Sequence, residues 1–253
     1  MEDVPDSHPR ASSLAYRHRI SDGIKKKIVT MTGMVAHGRG EAFDYLIGEK
    51  TPEAAIRAME AAVALLMTAE HAVISINGNT AVLVPEETVA LAEAVGAKME
   101  INIFYQEPGR LEAIEKAMRD AGAKELLGTK DAERVELKGF ESNRRVVDPE
   151  GIKIADVVLV PLEDGDRTEA LVKMGKTVIT IDLNPLSRTA QKSQVSIVDN
   201  IVRSYPKMIE IARTYKEKGL TPEELKSIAE AYDNKAILAE ALETIIKFLE
   251  NQL

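Results

Sequence analysis

Between residues 72 and 200 the chain repeats one pattern: a short aliphatic and β-branched run, a turn rich in Asn, Asp, Gly or Pro, and then a stretch of helical period. AVISI (72–76) leads through Asn77-Gly78-Asn79 towards a helix over 85–95, and the run 98–104 is followed by a helix over 109–121. The cycle returns as strand 156–160 with helix 166–174, strand 177–183, and a short strand in 196–200. Continuous apolar runs of this length suit strands buried on both faces, and strands joined through helices must run parallel. The pattern therefore predicts an α/β fold with a doubly wound, mainly parallel sheet.

Outside that region the periods are helical. Leu14, Ile20 and Ile24 share a face of a helix over 12–27, a Gly-containing stretch follows at 32–40, and HGRGE (37–41) reads as a loop. Thr51, Pro52 and Glu53 supply a cap, a first-turn proline and an early acid for an Ala-rich helix reaching residue 70. Thr221-Pro222-Glu223-Glu224 repeats that start, and Leu238, Leu242, Ile245, Ile246 and Leu249 form an apolar stripe suited to docking on the core or on a second subunit. Residues 134–151 are charged and weakly periodic, which suggests a long surface loop with at most one irregular strand. One α/β domain is expected: an N-terminal helix and loop in 1–50, the core in 51–200, and helices in 201–253.

Composition removes several chemistries. There is no cysteine, so disulfides, thiolate metal sites and thioester intermediates are excluded. His8, His18, His37 and His71 have no HExxH spacing, and no Gly-x-Ser-x-Gly elbow occurs. A net charge of -8 argues against nucleic acid as partner. Seven Lys or Arg against four acids give residues 1–40 a charge of +3, so the remainder carries -11. The basic end suits capture of a small anion or is simply a solvated face. No apolar run is long enough to span a membrane and the start, MEDVPDSHPR, does not resemble a signal peptide, so a cytoplasmic protein is expected.

Two apparent phosphate motifs fail on inspection. ALVKMGKT (170–177) has Ala in place of the first P-loop glycine and runs into a strand, whereas a P-loop opens a helix. Gly38-Arg39-Gly40 has Phe43 where a dinucleotide fingerprint needs its third glycine. The better candidates are turns at the carboxyl ends of strands, where open α/β sheets bind ligands. Asn77-Gly78-Asn79 offers carboxamides and close backbone approach, or is an ordinary strand-to-helix turn. PLEDGDRT (161–168) holds either Mg²⁺ through its carboxylates or an acidic helix cap. In DLNPLSRT (182–189), Asp182 and Asn184 precede Ser187, Arg188 and Thr189, a set with partners for base, ribose and phosphate. Arg39 lies between glycines, and Arg144 and Arg145 sit in the long loop as a cover for an anion or a solvated pair. The residues by themselves reach a nucleotide and a second anionic small molecule, leaving a ligase, a kinase or phosphatase, and a nucleotide sensor all open.

Six segments, SHPR (7–10), AHGRGEAFDYLIGE (36–49), INGN (76–79), ESNRRVVDPEGI (141–152), ADVVLVPLEDGDRTEALVKMGKTVITIDLNPLSRTAQ (155–191) and VDNIVR (198–203), together resemble the archaeal phosphopantothenate synthetases. The resemblance implies a homodimeric ligase with a Rossmann-like core that joins 4-phosphopantoate to β-alanine at the expense of ATP, through an acyl-adenylate, in coenzyme A synthesis. It implies an ATP-contacting set of Arg17, Arg39, Asp182, Leu183, Asn184, Arg188, Thr189, Asp199 and Asn200, with Mg²⁺ accompanying the nucleotide. Arg39, Asp182 and Arg188 are then the expected catalytic residues. Asn77, Gly78, Asn79, Arg144 and Arg145 are assigned to phosphopantoate from their chemistry and placement. Asp182, Glu163 and His37 stand open as bases for the β-alanine ammonium, and the metal ligands are undetermined.

Overall fold

A computed structural model describes residues 7–8, 10–105, 107–137, 143–162 and 164–252. Five strands, β1 (Ala72–Ile76), β2 (Lys98–Ile101), β5 (Val157–Pro161), β6 (Thr177–Ile181) and β7 (Val195–Ile197), form one sheet in the order β2-β1-β5-β6-β7, and every pairing in it is parallel. All five residues of β1 and of β5 are buried, as covering on both faces requires. Alternate residues separate accordingly. Ile74, Ile76, Leu159, Ile179 and Ile181 belong to the larger core, with α3 (Glu53–Thr68), α5 (Pro85–Val95), α6 (Arg110–Asp120) and α9 (Ile201–Glu217). Val73, Val158, Val160 and Val178 face a smaller one with Leu171 of α7 (Gly165–Lys173), Val147 and Ile152.

Several local expectations are corrected. HGRGE (37–41) is no loop: with the whole 32–40 stretch it lies inside α2 (Met31–Leu46), whose start is capped by the Thr30 hydroxyl accepting from the Gly33 amide at 3.0 Å. Glycines weaken a helix by roughly 1 kcal/mol each, but here one permits close packing, since a Cβ on Gly33 would lie 3.0 Å from Asn79 Oδ1. Thr51 does not cap α3. Pro52 holds the cap position, and the Thr51 hydroxyl donates instead to Asp199 Oδ2 at 2.7 Å.

Within 134–151, of which 138–142 lie outside the described residues, the rest is less of a surface loop than its charges suggested. β3 (Val135–Glu136) pairs antiparallel with β4 (Val146–Val147), and Arg144, Val147 and Asp148 are buried. Glu100 of β2 holds it down, accepting from the amides of Asp148 (3.2 Å) and Ile152 (2.6 Å). At the C-terminal end, α10 (Pro222–Glu230) has the expected capping box between Thr221 and Glu224. In α11 (Asn234–Glu250), by contrast, the buried line is Ile237, Ala241 and Ile245, while Ile246 and Leu249 face outward.

The strand order places a switch point between β1 and β5. The chain leaves β1 for β2 on one side and leaves β5 for β6 on the other, so the two connections diverge and open a crevice at the strands' carboxyl ends.

Candidate active site

Asn77 is the first residue past β1 and spans this crevice. Its Nδ2 donates to the Pro161 carbonyl at 2.8 Å, and its Oδ1 accepts from the Thr80 amide at 3.0 Å, capping α4 (Gly78–Leu83). Both ends of the carboxamide are thus engaged in joining β1 to β5, and the residue also lines the smaller of the two cavities described next. A Cβ on Gly78 would fall 2.3 Å from the Ile28 carbonyl oxygen and 2.8 Å from Arg110 Nη2, which only glycine avoids. Asn79 donates to the Gly33 carbonyl at 3.0 Å and ties α4 to α2.

Two cavities open on either side of Ala36, Arg39, Asn79 and Leu162, which line both. The first, about 480 Å³, lies between α2 and the ends of β6 and β7, with His37, Arg39, Asp182, Asn184, Arg188 and Asn200 on its walls. The second, about 260 Å³, has Gly78, Phe104, Tyr105, Arg110, Arg144 and Asp164. A larger groove of about 750 Å³ includes Lys98 at the start of β2. It is therefore at the amino end of the sheet, away from the switch point.

In the first cavity, the DLNPLSRT segment orders itself. Asp182 accepts from the Ser187 hydroxyl (2.5 Å) and the Asn184 amide (2.9 Å), and Ser187 caps α8 (Arg188–Lys192). Burial raises the Asp182 pKa, against those hydrogen bonds and the nearby charge of Arg39. Leu183 is buried beside Ile47 and Ile245 and anchors the turn. Arg188 reaches the cavity half exposed and pairs with Asp166, while Thr189 is buried within α8. Asn200 donates to Asp44 Oδ2 at 2.7 Å and caps α9.

Two expected nucleotide residues, Asp199 and Arg17, do not line this cavity. Asp199 is 1% exposed, and its carboxylate accepts from Thr51, Arg203 and the Asn200 amide. Arg17, in α1 (Ala11–Lys25), binds both oxygens of Glu41 at 2.9 Å, and Glu41 is the one of the pair that lines the cavity. That hydrogen bond is the leading cause of a raised Arg17 pKa. His37 has its pKa lowered, chiefly by burial, so its imidazole is neutral near pH 7.

The second cavity is cationic. Arg144, 8% exposed, has its pKa lowered to about 9 by burial and by the neighbouring Arg167, with Asp164 at 3.7 Å as a counter-charge. Arg110 is held in place by donating to the carbonyls of Ile28 (3.1 Å) and Tyr105 (2.7 Å). Arg167 lies beneath them, fully buried, donating to the Ser75 hydroxyl at 3.1 Å, and burial lowers its pKa to about 10. Guanidiniums depressed by burial, and Arg144 also by its two cationic neighbours, gain most from an anion arriving among them. Arg145, paired with Glu136 at 3.4 Å, is outside this group.

Sequence reasoning missed Arg110 and Arg167 as site residues. Arg110 opens an amphipathic helix and Arg167 sits in the acidic PLEDGDRT turn, where the carboxylates drew the reading towards a metal or a helix cap. Asp164 does cap α7, accepting from the Arg167 amide at 2.9 Å, and Asp166 is taken by Arg188. Glu163 lies outside the described residues. No group of three or more His, Cys, Asp or Glu suited to a metal ion occurs among the described residues.

Residues 54–248 match the family described as phosphopantothenate/pantothenate synthetase. The chain belongs to this family. It is similar to a 4-phosphopantoate--beta-alanine ligase of Thermococcus kodakarensis, 54% identical over 243 residues that make up 96% of this chain and 92% of the relative. It is also 48% identical to the ligase of that name from Methanosarcina mazei over 250 residues, 99% of this chain and 97% of the relative. As a phosphopantothenate/pantothenate synthetase it is an enzyme of the ligase class, and the crevice between β1 and β5 is its candidate active site. The family match begins at α3, but both relatives align over almost the whole chain, so α1 and α2 belong to the shared architecture.

Proposed function

We propose that this enzyme condenses 4-phosphopantoate with β-alanine to 4'-phosphopantothenate, consuming ATP, in coenzyme A biosynthesis. The observation that carries this reading is the pair of adjoining cavities with Arg39 on their common wall. ATP occupies the larger one, against Asn184, Arg188 and Asn200. Phosphopantoate occupies the smaller, its phosphate drawn to Arg110, Arg144 and the underlying Arg167. Its carboxylate then points back towards Arg39 and the α-phosphorus.

A carboxylate oxygen attacks the α-phosphorus and pyrophosphate leaves, giving phosphopantoyl-adenylate. The amine nitrogen of β-alanine next attacks the acyl carbon, AMP departs with the bonding electrons, and the nitrogen gives up a proton. Arg39 and Arg188 stabilise charge developing on the phosphates, so the acceleration comes from positioning and electrostatics. Of the two candidate bases among the described residues, Asp182 is engaged by Ser187 and Asn184, whereas His37 is neutral and on the cavity wall. His37 is therefore the proton acceptor in this reading.

Asp164 and Asp166 are committed to arginines, so the described carboxylates of PLEDGDRT do not supply a ready site for Mg²⁺. Mg²⁺ instead enters with the nucleotide, held mainly by phosphates and water. The reading further places the enzyme in the cytoplasm as a homodimer, for which the outward-facing Ile246 and Leu249 of α11 provide an apolar surface. No helix among the described residues is long and apolar enough to cross a membrane.

The decisive experiment is mass spectrometry of products from ATP, Mg²⁺, 4-phosphopantoate and β-alanine, with each omitted in turn. AMP, pyrophosphate and 4'-phosphopantothenate are expected only in the complete mixture. ADP would replace the adenylate with an acyl phosphate, and absence of any condensation product would overturn the assignment.

A further inference from the structure

α2 carries His37, Arg39 and Glu41 to the cavities, yet of its sixteen residues only one is buried, and that one is Asp44. An apolar seam usually seats a surface helix. Here the deepest attachment is a carboxylate. Arg203 of α9 donates to it through Nη2 (2.5 Å to Oδ1) and Nη1 (3.2 Å to Oδ2), and Asn200 adds a third bond at 2.7 Å. The same guanidinium binds Asp199 Oδ1 through Nε at 2.9 Å, and Asp199 Oδ2 accepts from Thr51. The network joins α2, the link to α3, the end of β7 and the start of α9.

The links flanking α2 contain left-handed backbone, at Lys27 (φ 62°) before it and at Gly48 (φ 77°) and Glu49 (φ 53°) after it. The helix is thus bounded by two sharp turns and keyed near its C-terminal end by one forked cation. A planar guanidinium between two carboxylates fixes direction as well as distance, which an apolar contact or a lysine does not. Buried pairs of this kind contribute little net stability compared with a hydrophobic replacement, so their geometric role is the one to test.

We infer that Asp44 and Arg203 are positioning residues for the ligase reaction: their ion pair sets the seating of α2 and thereby holds Arg39 between the nucleotide and the acyl substrate. This inference rests on the function proposed above. Asp44 lies five residues, somewhat more than one helical turn, from Arg39, so a slip of α2 at Asp44 moves the catalytic guanidinium with it.

The test uses the full-length protein with Arg203→Lys and, as the milder change, Asp44→Asn. Hydrogen exchange of the ligand-free variants is expected to rise about tenfold in peptides of 31–46 while β1 and β5 stay protected. KM for ATP is expected to rise about tenfold and kcat to fall, with the melting temperature shifted by only a few degrees. Unchanged exchange in α2 together with an unchanged KM would overturn the inference. So would loss of protection throughout the sheet with KM unaltered, since that is the mark of a purely structural pair. If the wild-type protein makes no condensation product, the ligase reading fails at that point, and the exchange measurement still decides whether the pair seats α2.

Discussion

Arg39 is exposed, sits between two glycines and lines both cavities, so its removal disturbs little packing. Arg39→Ala is expected to lower kcat/KM by about 100-fold or more, some 3 kcal/mol of transition-state stabilisation, at an unchanged melting temperature. An unaltered turnover would remove Arg39 from the mechanism. For His37, burial lowers the pKa below its ordinary 6.5, so kcat/KM should decline as pH falls through a value under 6.5. His37→Gln should abolish that acidic limb, and a limb that persists in the variant would transfer the base role elsewhere. The residue types at the site were legible where motifs were dense, as at Asp182 to Thr189. Elsewhere one side-chain type serves two uses. Asn77 and Asp199 have the chemistry of ligands, but each spends its hydrogen bonds on neighbours from distant elements.

At the scale of elements, strands and helices of the core follow from period and turn chemistry, with boundaries off by a residue or a few. α2 is the instructive failure. Its glycines speak against a helix locally, and what holds it comes from residues over 150 positions away, Asn200 and Arg203. The start of α3 shows the same thing in miniature, because Thr51 has the identity of a cap but bonds Asp199. Thr51→Val is expected to cost about 1–2 kcal/mol by leaving a buried carboxylate oxygen short of a donor. Urea denaturation at neutral pH would measure it, and a loss no larger than a few tenths would show that another group takes over.

Across the whole molecule the notable ionisable group is Glu100, buried in the edge strand β2 beneath the 146–152 segment. Burial raises its pKa from 4.5 to about 7, against the hydrogen bonds from Ile152 and Asp148 and the charge of Arg167. Because the folded pKa lies above the unfolded one, the associated stability is complete below pH 4.5 and is lost as pH rises through about 7. The size is on the order of a few kcal/mol. Folding free energy measured at pH 5 and pH 8 should fall more for the wild type than for Glu100→Gln, and equal slopes would mean that Glu100 ionises normally.

The sequence by itself determined the parallel α/β core, because continuous apolar runs and helical periods are local properties that only one layer arrangement satisfies. It also determined the family, through motifs spread along the chain, and with it the class of reaction. Tertiary structure decided which polar residues face the crevice and which brace it, since a hydrogen bond between residues 44 and 203 has no local signature. It alone assembled Arg110, Arg144 and Arg167, which come from the start of α6 after β2, from the turn before β4 and from α7 after β5.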